Sequence, residues 1–326
     1  MKTTKVFHVM LGVFIGVFIV LITSAPSLMY AADFPDRDIT LIVTYAPGGG
    51  TDMVCRGLAM VAEENLKVRI LVKNVPSPSG IVGFQEGVNA KPDGYTLIGH
   101  SNEWFMAPML GQGKFTFNDV TPLMLISVTY AGWHVRSDAP WNSLKDWVDW
   151  AKKNPGKGKV ASLAPGHIWW FAPAALMDKE KLDFTIVPYP GGGPSIPALM
   201  GGHVDVASCS LNEVLAQVKA GNIKVLGTAS LARNQYYPFP TFREQGFDVV
   251  AGAIIGYSLP NGVPEERRNF LHNVFKKAME SQKFKDYMAK GGFEIIYRDS
   301  KGFREFSEQL ASTYKSLSEK HGLIKK

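Results

Sequence analysis

The sequence predicts an α/β protein of two units, each built on a mainly parallel sheet and joined by two crossing strands. Strand-type apolar runs alternate with helical stretches along most of the chain. One local pattern also occurs twice, far apart. Leu41-Ile42-Val43 leads through Tyr45 and Pro47 into Gly48-Gly49-Gly50, and Phe184-Thr185-Ile186-Val187 leads through Tyr189 and Pro190 into Gly191-Gly192-Gly193. Finally, residues 122–135 and Val249–Leu259 are long and β-rich, as strands leaving one unit and returning to it would be. Two linkers of this kind make a hinge.

The elements follow in order. A first strand at 39–44 enters the first glycine loop. Thr51 or Asp52 can cap the next helix, whose apolar side is Val54, Leu58 and Val61. Strands are expected at Val68–Val72 and Tyr95–Gly99, with a helix at Ile81–Ala90 between them. Ser143 caps a helix over Leu144–Lys153. Strands at Val160–Leu163 and Phe184–Val187 precede the second glycine loop, where Pro194 and Pro197 suit an early helical turn. A strand near 202–208, a helix at Leu211–Ala220 and a strand at Ile223–Thr228 complete this unit. After the return crossing the chain turns helical: Pro264 opens one helix, and Asp299 or Ser300 caps a last one carrying Phe303, Phe306, Leu310, Tyr314 and Leu317 on one side. The division expected is 33–132 with 252–326 for the first domain and 133–251 for the second.

Glycines let a ligand approach the main chain, and the N–H groups of the following helix favour an anion. Two such loops on separate units suggest a carboxylate or phosphate held between them. The N-terminus, with Lys2, Lys5 and an apolar run from Val9 to Ile22, has the order of a secretory signal over residues 1–32, cleaved near Ala31 or Ala32. The run is shorter than the ~20 residues of a spanning helix. Removing it takes away two lysines and no acid, so the net charge falls from +6 to about +4. That mild excess fits a small anion and excludes a nucleic-acid reader. Cys55 and Cys209 read as separate buried thiols. There is no Gly-x-Ser-x-Gly elbow, no Walker lysine after either glycine run, and no Cys-x-x-Cys or His-Glu-x-x-His. No enzyme, cofactor or metal is expected.

Several segments together resemble the extracytoplasmic binding proteins of tripartite tricarboxylate transporters, also called Bug or TctC-type proteins. These are Tyr45-Ala46-Pro47-Gly48-Gly49-Gly50-Thr51-Asp52, Lys91-Pro92-Asp93-Gly94-Tyr95-Thr96-Leu97, Val187-Pro188-Tyr189 with its glycines, and Gly201-Gly202-His203-Val204-Asp205. Arg233, Pro238, Pro240, Thr241, Glu244 and Gly246 follow, then Leu259-Pro260 with Gly262-Val263-Pro264. The resemblance implies a type II-like, Venus-flytrap periplasmic-binding-protein fold, monomeric, that closes on a small carboxylate and hands it to a large and a small integral membrane subunit. By position it implies ligand contacts from Gly48, Gly49, Gly50, Thr51 and Asp52, and from His100, Ser101 and Asn102. On the second domain it implies Ser162, Gly166, His167, Gly191, Gly192, Gly193, Ser195 and Asp205. Two segments depart from the family: Glu103-Trp104-Phe105 where small polar residues are usual, and Gly166-His167-Ile168-Trp169-Trp170 in place of a Gly-Ser-type loop. If these border the cleft, Glu103, Trp104, Trp169 and Trp170 would set specificity, toward an aromatic acid or an acid carrying an amine.

Two other classes are compatible with the same residues. One is a sensor of the same architecture signalling to a membrane kinase. The other is a secreted hydrolase or acyltransferase using Ser195, His167 and Asp205 beside a glycine-rich oxyanion hole.

Overall fold

Ile39, Leu41, Ile42 and Val43 are each at most 3% exposed, so β1 (Ile39–Val43) is covered on both faces, as a central parallel strand is. The computed structural model containing it describes residues 34–324; the expected signal peptide lies outside the described residues. Among the described residues no helix is long and apolar enough to cross a membrane.

The chain continues through α1 (Gly50–Ala62), β2 (Ile70–Asn74), α2 (Ile81–Val88), β3 (Thr96–His100), α3 (Glu103–Met109) and β4 (Val120–Tyr130). It then forms β5 (Gly132–Arg136), α4 (Leu144–Lys153), β6 (Gly158–Ser162), α5 (Phe171–Glu180), β7 (Phe184–Pro188), α6 (Gly192–Met200), β8 (Val206–Ala207), α7 (Leu211–Lys219) and β9 (Ile223–Thr228). It returns through β10 (Gly252–Pro260) to α8 (Glu265–Glu280), α9 (Gln282–Gly291), β11 (Arg298–Asp299) and α10 (Ser300–Lys320). The first sheet has the order β11-β4-β10-β3-β1-β2 and the second β7-β6-β8-β5-β9. From Arg37 on, both sheets belong to one contiguous unit.

Local signals account for many boundaries. Val54, Leu58 and Val61 are buried on α1 as their spacing requires. Ser143 and Asp146 form a reciprocal capping box at α4, and Asp299 accepts from Gly302 N at 2.8 Å to start α10. Phe303, Phe306, Leu310 and Tyr314 of α10 all face the core. Cys55 and Cys209 are buried free thiols. The cap of α1 differs from expectation: Gly49 stands at the N-cap with no side-chain bond, while Asp52 turns back to accept from Gly48 N at 2.9 Å.

The sheets are mixed, not mainly parallel. β1 runs parallel to β2 and β3, but β10 is antiparallel to both β3 and β4, and β5 is antiparallel to β8 and β9. The reason is topological. A strand that leaves a unit and a neighbouring strand that returns to it must run in opposite directions. The crossings meet at Ala131, between β4 and β5, and at Ala251, just before β10. Ala131 N donates to Ala251 O (3.0 Å), Ala251 N to Ala229 O (3.0 Å) and Ala229 N to Ala131 O (2.7 Å). All three alanines are at most 1% exposed.

Candidate functional site

In the first sheet, β1, β2 and β3 end on Thr44-Tyr45, the Ser77–Ser79 turn and Ser101-Asn102-Glu103. In the second, β6 and β7 end on Leu163-Ala164 and Tyr189-Pro190. These strand ends face one another across a cleft of about 490 Å³ lined by Tyr45, Ser77, Ser79, Ser101, Asn102, Glu103, Met106, Leu163, Ala164, His167, Ile168, Tyr189 and Pro190. A crevice at the carboxyl ends of parallel strands is where open α/β sheets bind ligands, and its size suits a small molecule.

Glu103 is the most constrained group in it, only 2% exposed at the start of α3. Its Oε1 accepts from Thr44 Oγ1 (2.5 Å) and Ser101 N (3.1 Å), and its Oε2 from Tyr45 OH (3.0 Å) and Ser101 N (3.0 Å). Burial raises its pKa, and these hydrogen bonds oppose the rise. Burial first, and then the neighbouring Glu103 charge, pushes the Tyr45 phenol well up, so it keeps its proton and donates. Asn102 faces the cleft but is tied to the return crossing: its amide nitrogen donates to Gly252 O (3.2 Å) and its oxygen accepts from Ile254 N (2.9 Å). His167 is half-buried, and desolvation lowers its pKa.

The first glycine loop stands beside the cleft, not among its lining residues, which take only Tyr45 from this stretch. Asp52 braces it. That carboxylate accepts from Gly48 N, from Arg56 (2.7 Å) and from Asn74 (2.8 Å), and Asn74 also reaches Tyr45 O (3.0 Å). Burial alone would raise the Asp52 pKa, but these donors hold it below the ordinary range. Gly48 has φ +78, which only glycine adopts freely; Gly50 lies toward Phe293 and Asn212. Thr51 is buried in the first turn of α1.

The second glycine loop is already filled. The Glu213 carboxylate occupies the place a Cβ on Gly192 would take, and it is hydrogen-bonded by the backbone of Gly192 and Gly193 and by Ser210 N (2.9 Å) and Oγ (2.6 Å). The anion expected at this helix N-terminus is therefore the protein's own, supplied by α7. Ser195 is 1% exposed and donates to Gly192 O at 2.6 Å. Gly191 at the N-cap and Gly192, Gly193 and Ser195 in the first turn of α6 do not line the cleft.

Other expected positions divide the same way. Ser101, Asn102, Glu103 and His167 line the cleft. His100 does not: its ring is fully buried among Phe84, Trp104 and Phe303. Its Nε2 meets Ser258 Oγ at 2.7 Å, and burial takes its pKa down to about 4. Ser162 is buried at the end of β6, where its carbonyl accepts from Tyr189 N at 2.7 Å. Gly166, at φ +81, turns the next loop beside Leu110 and Leu323. Asp205 lies at the opposite end of β6, accepting from Lys159 N at 2.8 Å beside a separate hollow with Arg136 and Trp141. Ser195, His167 and Asp205 thus stand in three different places and form no triad.

The aromatic wall is also absent from the cleft lining. Trp104 is fully buried against Phe117, His100 and Phe303, Trp170 packs edge-on to Phe171 and His321, and Trp169 is 8% exposed. Tyr45, Met106, Leu163, Ile168 and Tyr189 supply the cleft's larger surfaces instead. The signal for most of the missed residues was positional: each lies within a few residues of the carboxyl end of a parallel strand.

With this geometry in view, comparison with known proteins is informative. The family described as "Tripartite tricarboxylate transporter family receptor" matches residues 54–323. A UPF0065 protein from the gbd 5′ region of Cupriavidus necator is 30% identical over 312 residues, covering 93% of each chain. Protein BugT of Bordetella pertussis is 26% identical, covering 86% of this chain and 88% of its own. Among solved structures, a TctC solute binding protein from Polaromonas superposes with TM-score 0.78 at 30% identity, covering 88% of this chain and 99% of its own. The periplasmic binding protein BugD superposes with TM-score 0.75 at 25% identity, covering 90% and 100%. With the strand-end cleft and the two-sheet architecture, these matches place the chain in the tripartite tricarboxylate transporter receptor family, with the two-domain α/β fold of periplasmic binding proteins.

Proposed function

We propose that this protein is an exported solute receptor that captures a small carboxylate-bearing ligand between its two domains and delivers it to a large and a small integral membrane subunit for uptake. The observation that carries this reading is the cleft lined by Tyr45, Ser101 and Glu103 at the strand ends of one sheet and by Leu163 and Tyr189 at those of the other. The domains proposed are 33–132 with 252–326 and 133–251, hinged where the strands cross at Ala131 and Ala251. Residues 1–32 would act as the periplasmic export signal. Two structures that share this fold alone, at 22% and 24% identity, were solved with adipate and with bound malate, so the scaffold accommodates carboxylates in other proteins. The reading assigns no enzymatic step, since the serine, histidine and acid that might have joined in one lie apart.

The test is a thermal-shift panel of mono-, di- and tricarboxylates, aromatic acids and amino acids, on protein unfolded and refolded to strip copurified ligand. A ligand at a thousand times its Kd adds about 4 kcal/mol, a shift on the order of ten degrees. A selective hit supports the reading. A silent panel, confirmed silent by calorimetry, overturns it.

A further inference from the structure

The hydrogen-bond accounting at the Glu103 end of the cleft says more about the ligand. A carboxylate can accept about four hydrogen bonds and donates none. Thr44 Oγ1, Tyr45 OH and Ser101 N all spend their protons on Glu103, at 2.5–3.1 Å. What Tyr45 then offers the cleft is its lone pairs. The Asn102 amide, next in line, spends one of its N–H groups on Gly252 O and its oxygen on Ile254 N. No lysine or arginine stands among the described residues that line the cleft, so nothing cationic offsets Glu103 there.

This end therefore presents the Tyr45 lone pairs and the charge of a carboxylate only 2% exposed. A ligand carboxylate placed against Glu103 and Tyr45 would meet a like charge. An ammonium group would bond to the Tyr45 lone pairs and balance the buried acid beside them. The remaining surface suits the rest of a small acid: Met106, Leu163 and Ile168 form an apolar middle. Ser77, whose Oγ accepts from Val82 N and so keeps its own proton to donate, stands at the rim.

We propose that Glu103 is a specificity-determining residue that selects a small acid bearing an ammonium group, bound with its nitrogen at Glu103 and Tyr45. This rests on the carboxylate-receptor reading and narrows it. The ligand then carries at least one fewer negative charge than the dicarboxylate of the same length.

The experiment compares matched pairs by titration calorimetry on the stripped protein: ω-aminocaproate against adipate, and γ-aminobutyrate against succinate. The amino member of at least one pair should bind about tenfold or more tighter, the range of a charge-assisted hydrogen bond. Glu103→Gln should remove most of that preference while leaving or improving binding of the diacid. Wild-type binding of the diacids equal to or tighter than their amino partners overturns the inference while leaving the receptor reading intact. So does a Glu103→Gln variant that weakens both members equally. Because the wild-type comparison stands without the variant, misfolding of Glu103→Gln would not rescue the idea. Absence of binding by every acid tested would instead strike the receptor reading beneath it.

Discussion

Ala131 and Ala251 are bonded to each other across the junction of the two sheets, Ala131 N to Ala251 O at 3.0 Å, and Ala229 closes the ring of hydrogen bonds around them. The two connections are therefore held side by side as a bonded pair. A β-branched side chain has no room at positions this buried. Ala131→Val should lower stability by about 1–3 kcal/mol through overpacking, read as a reduced urea midpoint. Unchanged stability would mean that the junction is looser than its burial indicates.

The glycines of the first loop should not be equivalent. Gly48 has φ +78, so Gly48→Ala should cost about 1–2 kcal/mol through backbone strain although space is open around it. Gly49 has φ −72, a conformation open to any residue, and an added Cβ meets only Ala46 O at 3.3 Å. Gly49→Ala should cost less, about 0.5–1 kcal/mol, because alanine is a poorer N-cap than glycine and its Cβ would sit tight against Ala46 O. Thermal melts of the two variants side by side decide it; equal losses would refute the conformational argument.

Glu213 predicts a pH dependence. Burial raises its pKa above the ordinary 4.5 despite the hydrogen bonds from Ser210, Gly192 and Gly193. A carboxyl raised in the folded state contributes stability that is fully present below its unfolded pKa and lost as pH rises through the folded one. Glu103 acts in the same direction. Glu213→Gln should therefore flatten part of the decline in unfolding free energy as pH rises from 4.5, a slope measurable by urea titration at several pH values. A variant with the wild-type slope would contradict the assignment.

Trp170 should matter for folding and not for affinity. Its ring centroid lies 5.4 Å from that of Phe171 and 5.0 Å from that of His321, away from the cleft lining. Trp170→Ala should cost about 3–5 kcal/mol, as large-to-small core changes do, while the Kd of any ligand found stays unchanged. A clear loss of affinity in the folded variant would return the tryptophan to the site.

What could be read from the sequence was the part written in short-range pattern. Val54, Leu58 and Val61 gave α1, Ser143 with Asp146 gave the start of α4, and strand-type runs gave most strands. The helix α3 was missed although Asn102 stands at its N-cap, because it runs for only 7 residues and Pro108 sits within it. Cleft-lining residues were legible where they followed a strand end, as Ser101 and His167 do. They were misplaced where the answer depended on distant partners. Nothing local to Gly192 announces Glu213, and nothing local to Asp205 says that it marks the far end of its sheet. His100 and Trp104 looked chemical because of their residue types, but burial among aromatics decided their roles.

The Glu213 carboxylate in the second glycine loop has a consequence for the order of events in capture. A backbone nest that brings its own counter-anion is complete in the empty protein and gains nothing when a solute arrives. The second sheet's share of the cleft lining then comes from Leu163, Ala164, His167, Ile168, Tyr189 and Pro190, and not from this loop. Two copies of one sequence motif thus take different backbones and hold different tenants, one turning on Gly48 and braced from below by Asp52, the other extended at Gly191 and occupied from within by Glu213.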